Sequence, residues 1–229
     1  MRWLGIDVET NKLGVWNVGV ALFKKRQTLA AINVFIEETF TEKEELTFGG
    51  AYLKTRDSLC RMHNPVWVQT REQADSLVWA WIKGMGGFSR SFGYNSSTFD
   101  LGVLRKEGLY VTSRLLDTKP HLDLMPLVLT ALVGRKSFHS YWKANVLLGN
   151  TAEGNAEYVK YSAELVLNYI AHTRYKAQGK TWVWKKEKHV GVEDLVEFEY
   201  PILHYFVRIL KKGTRTTVQP KPFLKWADV

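Results

Sequence analysis

Residues 2–9, RWLGIDVE, alternate strictly: Leu4, Ile6 and Val8 fall on one side, Trp3, Gly5, Asp7 and Glu9 on the other. A period of two is the mark of a strand with one face turned to a core. This strand is unusual in what it puts on its second face, two carboxylates side by side. Val15–Phe23 and Ala30–Glu38 read as two further strands, and Lys25-Arg26-Gln27 between them suits a hairpin. The chain then changes rhythm. Arg71–Lys83 carries Ala74, Leu77, Val78 and Trp81 at helical spacing, and Phe88–Tyr94 is a short strand. Thr98–Lys106 follows as a helix, His121–Met125 as a strand and Asn155–Lys176 as a helix. A strand or hairpin arm is expected after Gly179, and a helix bent or started near Pro201 over Glu193–Lys212. Three antiparallel strands followed by alternating helix and strand predict a mixed α/β sheet with flanking helices.

The 229 residues are 45% hydrophobic and 24% charged, a globular composition with enough chain for a sizeable core. No apolar run is long enough to cross a bilayer, so no membrane association is expected. Met1–Thr10 meets an acid at Asp7, unlike a signal peptide, and the single cysteine, Cys60, excludes an internal disulfide framework. Both point to an intracellular, cytoplasmic setting. The net charge of +9 is unevenly spread. Thr173–His189 holds six Lys and Arg against Glu187, and Arg208–Val229 holds six against Asp228, with an acidic stretch between. Such patches are either solvated surface or a contact for a polyanion such as nucleic acid.

Asp7 and Glu9 emerge next to each other from one strand face. Two ionised carboxylates repel, and a cation between them is the economical remedy; the alternative leaves Glu9 in solvent beyond the strand end. A second feature is FGYNSSTFDLGVL, in which a strand ends at Gly93-Tyr94 and a helix begins near Thr98. Asp100 in its first turn suits the helix dipole by itself. Strand ends and the helix starts after them also line ligand crevices in open α/β sheets.

Taken in order, these segments resemble the DEDD-type 3′–5′ exonucleases of the RNase H-like superfamily, in particular the proofreading domain of family B DNA polymerases. Asp7-Val8-Glu9-Thr10 resembles the first motif, and Gly93-Tyr94-Asn95 with Phe99-Asp100 and Leu104 the second. Tyr158 to Val166 is similar to the third, in register. There the family carries Tyr, three residues, Asp; this chain has Tyr158, three residues, Ser162. Glu164 does not replace the acid, since two positions along a helix turn its side chain away.

The resemblance covers about residues 2–190 and implies an RNase H-like exonuclease domain over 1–190, followed by a C-terminal helix and basic tail over 191–229. It implies two divalent cations, Mg²⁺ or Mn²⁺, held by Asp7, Glu9 and Asp100, and catalysis by these with Tyr158 and the Ser162 position. Thr10, Asn95, Phe99, Lys185 and Lys186 are the expected nucleic-acid contacts, and Trp182 and Trp184 lie among the same lysines. The partners implied are single-stranded or frayed 3′ ends of DNA or RNA, and a separate polymerase or replication protein. Serine is a poor ligand for a hard cation. Two outcomes follow from Ser162: an exonuclease weakened or disabled there, or a catalytically inactive nuclease fold that binds nucleic acid or a replication partner. No histidine falls just before Ser162, where a histidine-type relative carries its base, which favours Tyr158. Ser96, Ser97 and Ser162 show no accompanying His–Asp arrangement, so a serine hydrolase is not expected.

Overall fold

The computed structural model describes residues 1–25, 27–47, 50–94, 96–97, 99–125, 167, 178–181 and 191–204, with backbone alone at 43–47, 50–54, 111 and 115. Two compact units are present, Met1–Asp123 with Lys188–Tyr200, and Leu124–Glu187 with Pro201–Val229. In the second, the described residues Leu124, Met125, Ile202 and Leu203 are buried. Among the described residues no helix is long and apolar enough to cross a membrane.

The first unit is built on β1 (Arg2–Asn11), β2 (Gly14–Lys24) and β3 (Gln27–Ile36), paired antiparallel in sequence order. A hairpin of β4 (Lys43–Thr47) and β5 (Gly50–Lys54) and the short α1 (Arg56–Leu59) follow. Next come β6 (Pro65–Val68), α2 (Arg71–Gly84), β7 (Arg90–Gly93), α3 (Asp100–Lys106), α4 (Tyr110–Asp117) and β8 (His121–Asp123). The sheet has six strands in the order β6-β3-β2-β1-β7-β8, and β6, β7 and β8 each pair parallel to their neighbour. The chain is thus α/β with a mixed sheet, antiparallel strands first and parallel ones after, as the sequence predicts. The sequence reading did not include β4, β5, β6 or α4. β6 has only four residues, PVWV, ending two positions before the Thr70 helix cap, too few to display a period.

Register gives the two sheet faces different characters. Ile6 opposes Val20 and Val20 opposes Ile32, while Val8, Val18, Val34 and Val66 form the next row. This apolar face is covered by α2, through Ala74, Val78 and Ile82, and by Leu101, Leu104, Leu109 and Leu116 further along the chain. α2 is stopped at its start by a capping box between Thr70 and Gln73. On the opposite face the matching rows read Asp7, Gly19, Asn33 and Glu9, Asn17, Phe35. Polar side chains in the middle of a sheet need partners. Asp7 and Asn33 find them in the segment that begins at Gly191: α5 (Val192–Asp194), a π-helical turn over Leu195–Glu199, and Tyr200, while Asn17 Nδ2 donates to the Val34 carbonyl of the neighbouring strand.

That segment approaches the sheet backbone to backbone. A Cβ on Gly19 would lie 2.4 Å from both the Cα and the carbonyl carbon of Gly191. Gly191 itself has φ +58°, and a Cβ there would meet the Oδ1 atoms of Asn17 and Asn33 at 2.4 Å. Gly191 N–H donates to Asp7 Oδ2 at 3.0 Å and Val192 N–H to Asn33 Oδ1 at 2.9 Å. Asn33 Nδ2 donates to Glu193 Oε2 at 2.8 Å, and His63 N–H to Glu193 Oε1 at 2.7 Å. Beyond the turn, Tyr200 stacks on Phe23 with ring centroids 4.0 Å apart, and its hydroxyl donates to the Lys25 carbonyl. Gly19→Ala is therefore expected to cost about 2–3 kcal/mol, an overpacking penalty with backbone as the obstacle. A urea denaturation midpoint equal to that of the native chain would show that this close approach does not hold the segment.

Candidate metal centre

β7 ends at Gly93, while β1 runs on past it. The last β1–β7 pair is Gly5 with Phe92, so the β1 backbone beyond loses its neighbour on that side. Asp100 fills the place: its Oδ1 accepts from Val8 N–H at 3.0 Å, a buried bond between residues 92 apart in sequence. The helix-end role that Asp100's position suggests is thus joined by a tie to the central strand. From the same stretch of strand, Asp7 and Glu9 project toward α5. Oxygens of Asp7, Glu9 and Asp194 all lie within 4.8 Å of one another. A β-bulge follows directly: Glu9 opposes Asn17 and Thr10 opposes Val15, leaving Trp16 as the extra residue on β2. Bulges at such points re-aim side chains, and Trp16 packs here on Phe35.

Two further acids border this group. Asp123, at the end of β8, accepts from Ser97 N–H at 3.0 Å. Glu199, at the end of the π turn and 3% exposed, accepts from the backbone N–H of Tyr94. Between those two amides runs the connection that delivers Asp100. It is braced from below by His121, whose Nε2 lies 2.7 Å from Ser96 Oγ and whose Nδ1 lies 2.8 Å from Ser91 Oγ. A serine–histidine contact therefore exists at Ser96, but Ser96 is fully buried and the histidine's second partner is another serine. It serves as a strut and has no access to a substrate.

Crowding raises the carboxyl pKa values. Burial pushes Asp7 well above the usual range, and Glu9, Glu199, Asp194 and Asp100 add repulsion in that order. Asp100 is pushed up to about 8 by burial and by Glu9 and Asp123, against the hydrogen bond from Val8 that favours its ionised form. Glu199 is raised by burial and then by Asp100 and Asp194. Asp7, Asp100 and Glu199 are thus costly to ionise together, and the oxygens of Asp7, Glu9 and Asp194 lie close enough to one another to share a cation.

Of the residues singled out in the sequence, Asp7, Glu9 and Asp100 converge around one stretch of β1. Thr10 is half-buried next to Glu9, and Phe99 is half-buried immediately before α3. Asn95, Tyr158, Ser162, Lys185 and Lys186 lie outside the described residues, as do Trp182 and Trp184. The sequence reading did not select Asp194 or Glu199. Their signal was present in Gly191–Tyr200, GVEDLVEFEY, four acids threaded through Val192, Leu195 and Phe198 between two basic stretches. No protein-family model matches the chain, and no curated protein matches it significantly.

Carboxyl groups with raised folded pKa values bind more protons folded than unfolded between about pH 4 and 8, so stability falls as pH rises through that window. The cation-free protein is expected to be more stable at pH 5.5 than at pH 8, by on the order of 2–3 kcal/mol from Asp100 alone. Chemical denaturation in a chelator at the two pH values measures this. Asp100→Asn is expected to lessen the difference, Asp7 and Glu199 supplying what remains, and an equally steep dependence in that variant would refute the assignment.

Proposed function

We propose that the protein is a metal-dependent 3′–5′ exonuclease on an RNase H-like fold, acting on single-stranded or frayed ends of DNA or RNA. The observation that carries this reading is the meeting of Asp7, Glu9 and Asp194 oxygens within 4.8 Å, beside a strand to which Asp100 is bonded. The strand order, with the acid-bearing β1 central between an antiparallel and a parallel neighbour, is compatible with that fold.

In this reading the third-motif acid is Asp194, not the residue at position 162. Ser162 then no longer implies a missing ligand, and the reason to regard the site as disabled falls away. Anchoring the motif at Asp194 also changes the base. His189 stands five residues ahead of it in the sequence and is the candidate to orient the attacking water in place of Tyr158.

Asp7, Glu9 and Asp194 would hold a divalent cation, with Asp100 completing the acidic wall. When bound, such ions activate water and stabilise the leaving oxygen of a phosphodiester. The protein's own contribution is orientation: Gly191 N–H fixes one oxygen of Asp7, and Val8 N–H fixes Asp100. The carboxylates keep an anionic substrate away until a cation is present, which couples phosphate binding to metal loading. Thr10 and Phe99 flank the acids and are the described candidates to touch the terminal nucleotide; Asn95, Lys185 and Lys186 are proposed contacts from the sequence.

End-labelled single-stranded DNA and RNA, with Mn²⁺ or Mg²⁺ and then with chelator, test the reading. Asp7→Ala and Asp194→Asn are expected to lower cleavage at least a hundredfold, on the scale of losing a group that stabilises charge at the reacting centre. Ser162→Asp is expected to change it little, and His189→Ala to cost far more than Tyr158→Phe. Cleavage that appears only in Ser162→Asp would instead favour an inactive nuclease fold that binds nucleic acid.

A further inference from the structure

Glu199 is a buried carboxylate that the proposed chemistry does not yet use. One oxygen side accepts from Tyr94 N–H, while Oε2 has no hydrogen-bond partner among the described residues. A buried carboxyl oxygen without a partner is costly, and nothing in the packing of this turn calls for an acid. Leu195 and Phe198 are buried and Tyr200 is stacked on Phe23, so the segment is anchored by apolar side chains on either side of Glu199. A leucine or methionine at 199 would serve that anchoring and remove a repulsion.

The backbone explains how the acid arrives there. In an α-helix, residues five apart point about 140° from each other. A π turn, with i→i+5 bonding, takes more than four residues per turn and brings residues five apart to within roughly 50°. Asp194 precedes the π turn and Glu199 ends it. The wider turn thus keeps Glu199 on the side of Asp194, where it interacts electrostatically with Asp7, Asp100 and Asp194 from just outside the three oxygens that lie within 4.8 Å of one another. π turns are rare and concentrate at functional sites.

We infer that Glu199 is a further cation ligand of this centre, offering Oε2 to a divalent ion for which Asp7, Glu9 and Asp194 supply only part of the coordination. The inference rests on the nuclease reading for the location of the ion and adds a ligand to it. Six oxygens surround Mg²⁺ and six to eight a larger hard cation, so three carboxylates leave positions for another. Holding Glu199 by the Tyr94 amide also links the ion to the connection that carries Asp100.

The test is calorimetric titration of the full chain with Mn²⁺, alongside thermal melting in chelator. Glu199→Gln keeps the shape and an acceptor for Tyr94, and Glu199→Met keeps the volume without either oxygen. Both are expected to melt no lower than the native chain without metal, and to bind Mn²⁺ at least tenfold more weakly or with one site fewer. Unchanged Mn²⁺ affinity and stoichiometry in a folded variant overturns the role of Glu199. So does failure of both variants to melt cooperatively, which would assign Glu199 to the fold. Asp7→Asn separates the two levels: binding lost there but unchanged in Glu199→Gln removes this ligand and leaves the nuclease reading intact. A native chain that takes up no Mn²⁺ removes both.

Discussion

The absence of a side chain at Gly19 is the constraint on which the candidate centre depends. It allows the backbone at Gly191 to lie directly on β2, at a separation any Cβ would forbid. Only from that distance does Gly191 N–H reach Asp7, and only then is Asp194, three residues on, brought beside Asp7 and Glu9. Gly5, one position along the same face of β1, leaves the room that Leu195 and Phe92 occupy. The sheet therefore has a shallow trough, floored by two glycines on adjacent strands, into which a segment more than 170 residues away in sequence is laid.

Laying an acidic segment on a strand that already carries two acids is electrostatically unfavourable, and the docking contacts have to outweigh the repulsion. They do so from both flanks. On one side Glu193 is gripped by Asn33 and by His63, whose Nδ1 lies 2.9 Å from Oε1. On the other, Tyr200 joins Phe23 and Phe92 in an aromatic group. Each buried hydrogen bond of this kind contributes about 1 kcal/mol, more where a carboxylate is the acceptor. Stacked aromatics add about 0.5–1.5 kcal/mol beyond their buried area. Such contacts fix the segment without neutralising Asp194 or Glu199. The repulsion is left in place at the centre, where protons or a cation can relieve it.

Local periodicity made the three opening strands, α2 and α3 legible, because each has one face in the same apolar core. It also marked Asp7 and Glu9, since a strand of period two leaves no doubt that they share a face. Asp100 was found through its place between a strand and a helix. What the sequence did not disclose is long-range docking. Nothing near residue 191 says that it will lie on residue 19, because the complementarity is between a missing side chain and a backbone. Motif order then directed attention to Tyr158 and Ser162, where the spacing fits but the acid is absent. Among the described residues the carboxylate that meets Asp7 and Glu9 lies 32 positions later, directly ahead of a turn whose π geometry breaks the 3.6-residue period by which helical faces are recognised.

The two faces of the sheet divide the work between stability and chemistry. Ile6, Val8, Val18, Val20 and Val34 bury one face under α2–α4 and give the strands a rigid register. That rigidity is what permits the other face to hold Asp7, Asn17, Gly19 and Asn33 in rows that no apolar core would select. Polar side chains in a central strand need partners, and the same 191–199 segment that supplies them to Asp7 and Asn33 brings the additional acids. Satisfying the sheet's buried polar groups and assembling the acidic centre are consequently one event. Loosening either the glycine contact or the Glu193 grip should disperse the carboxylates together, not one at a time.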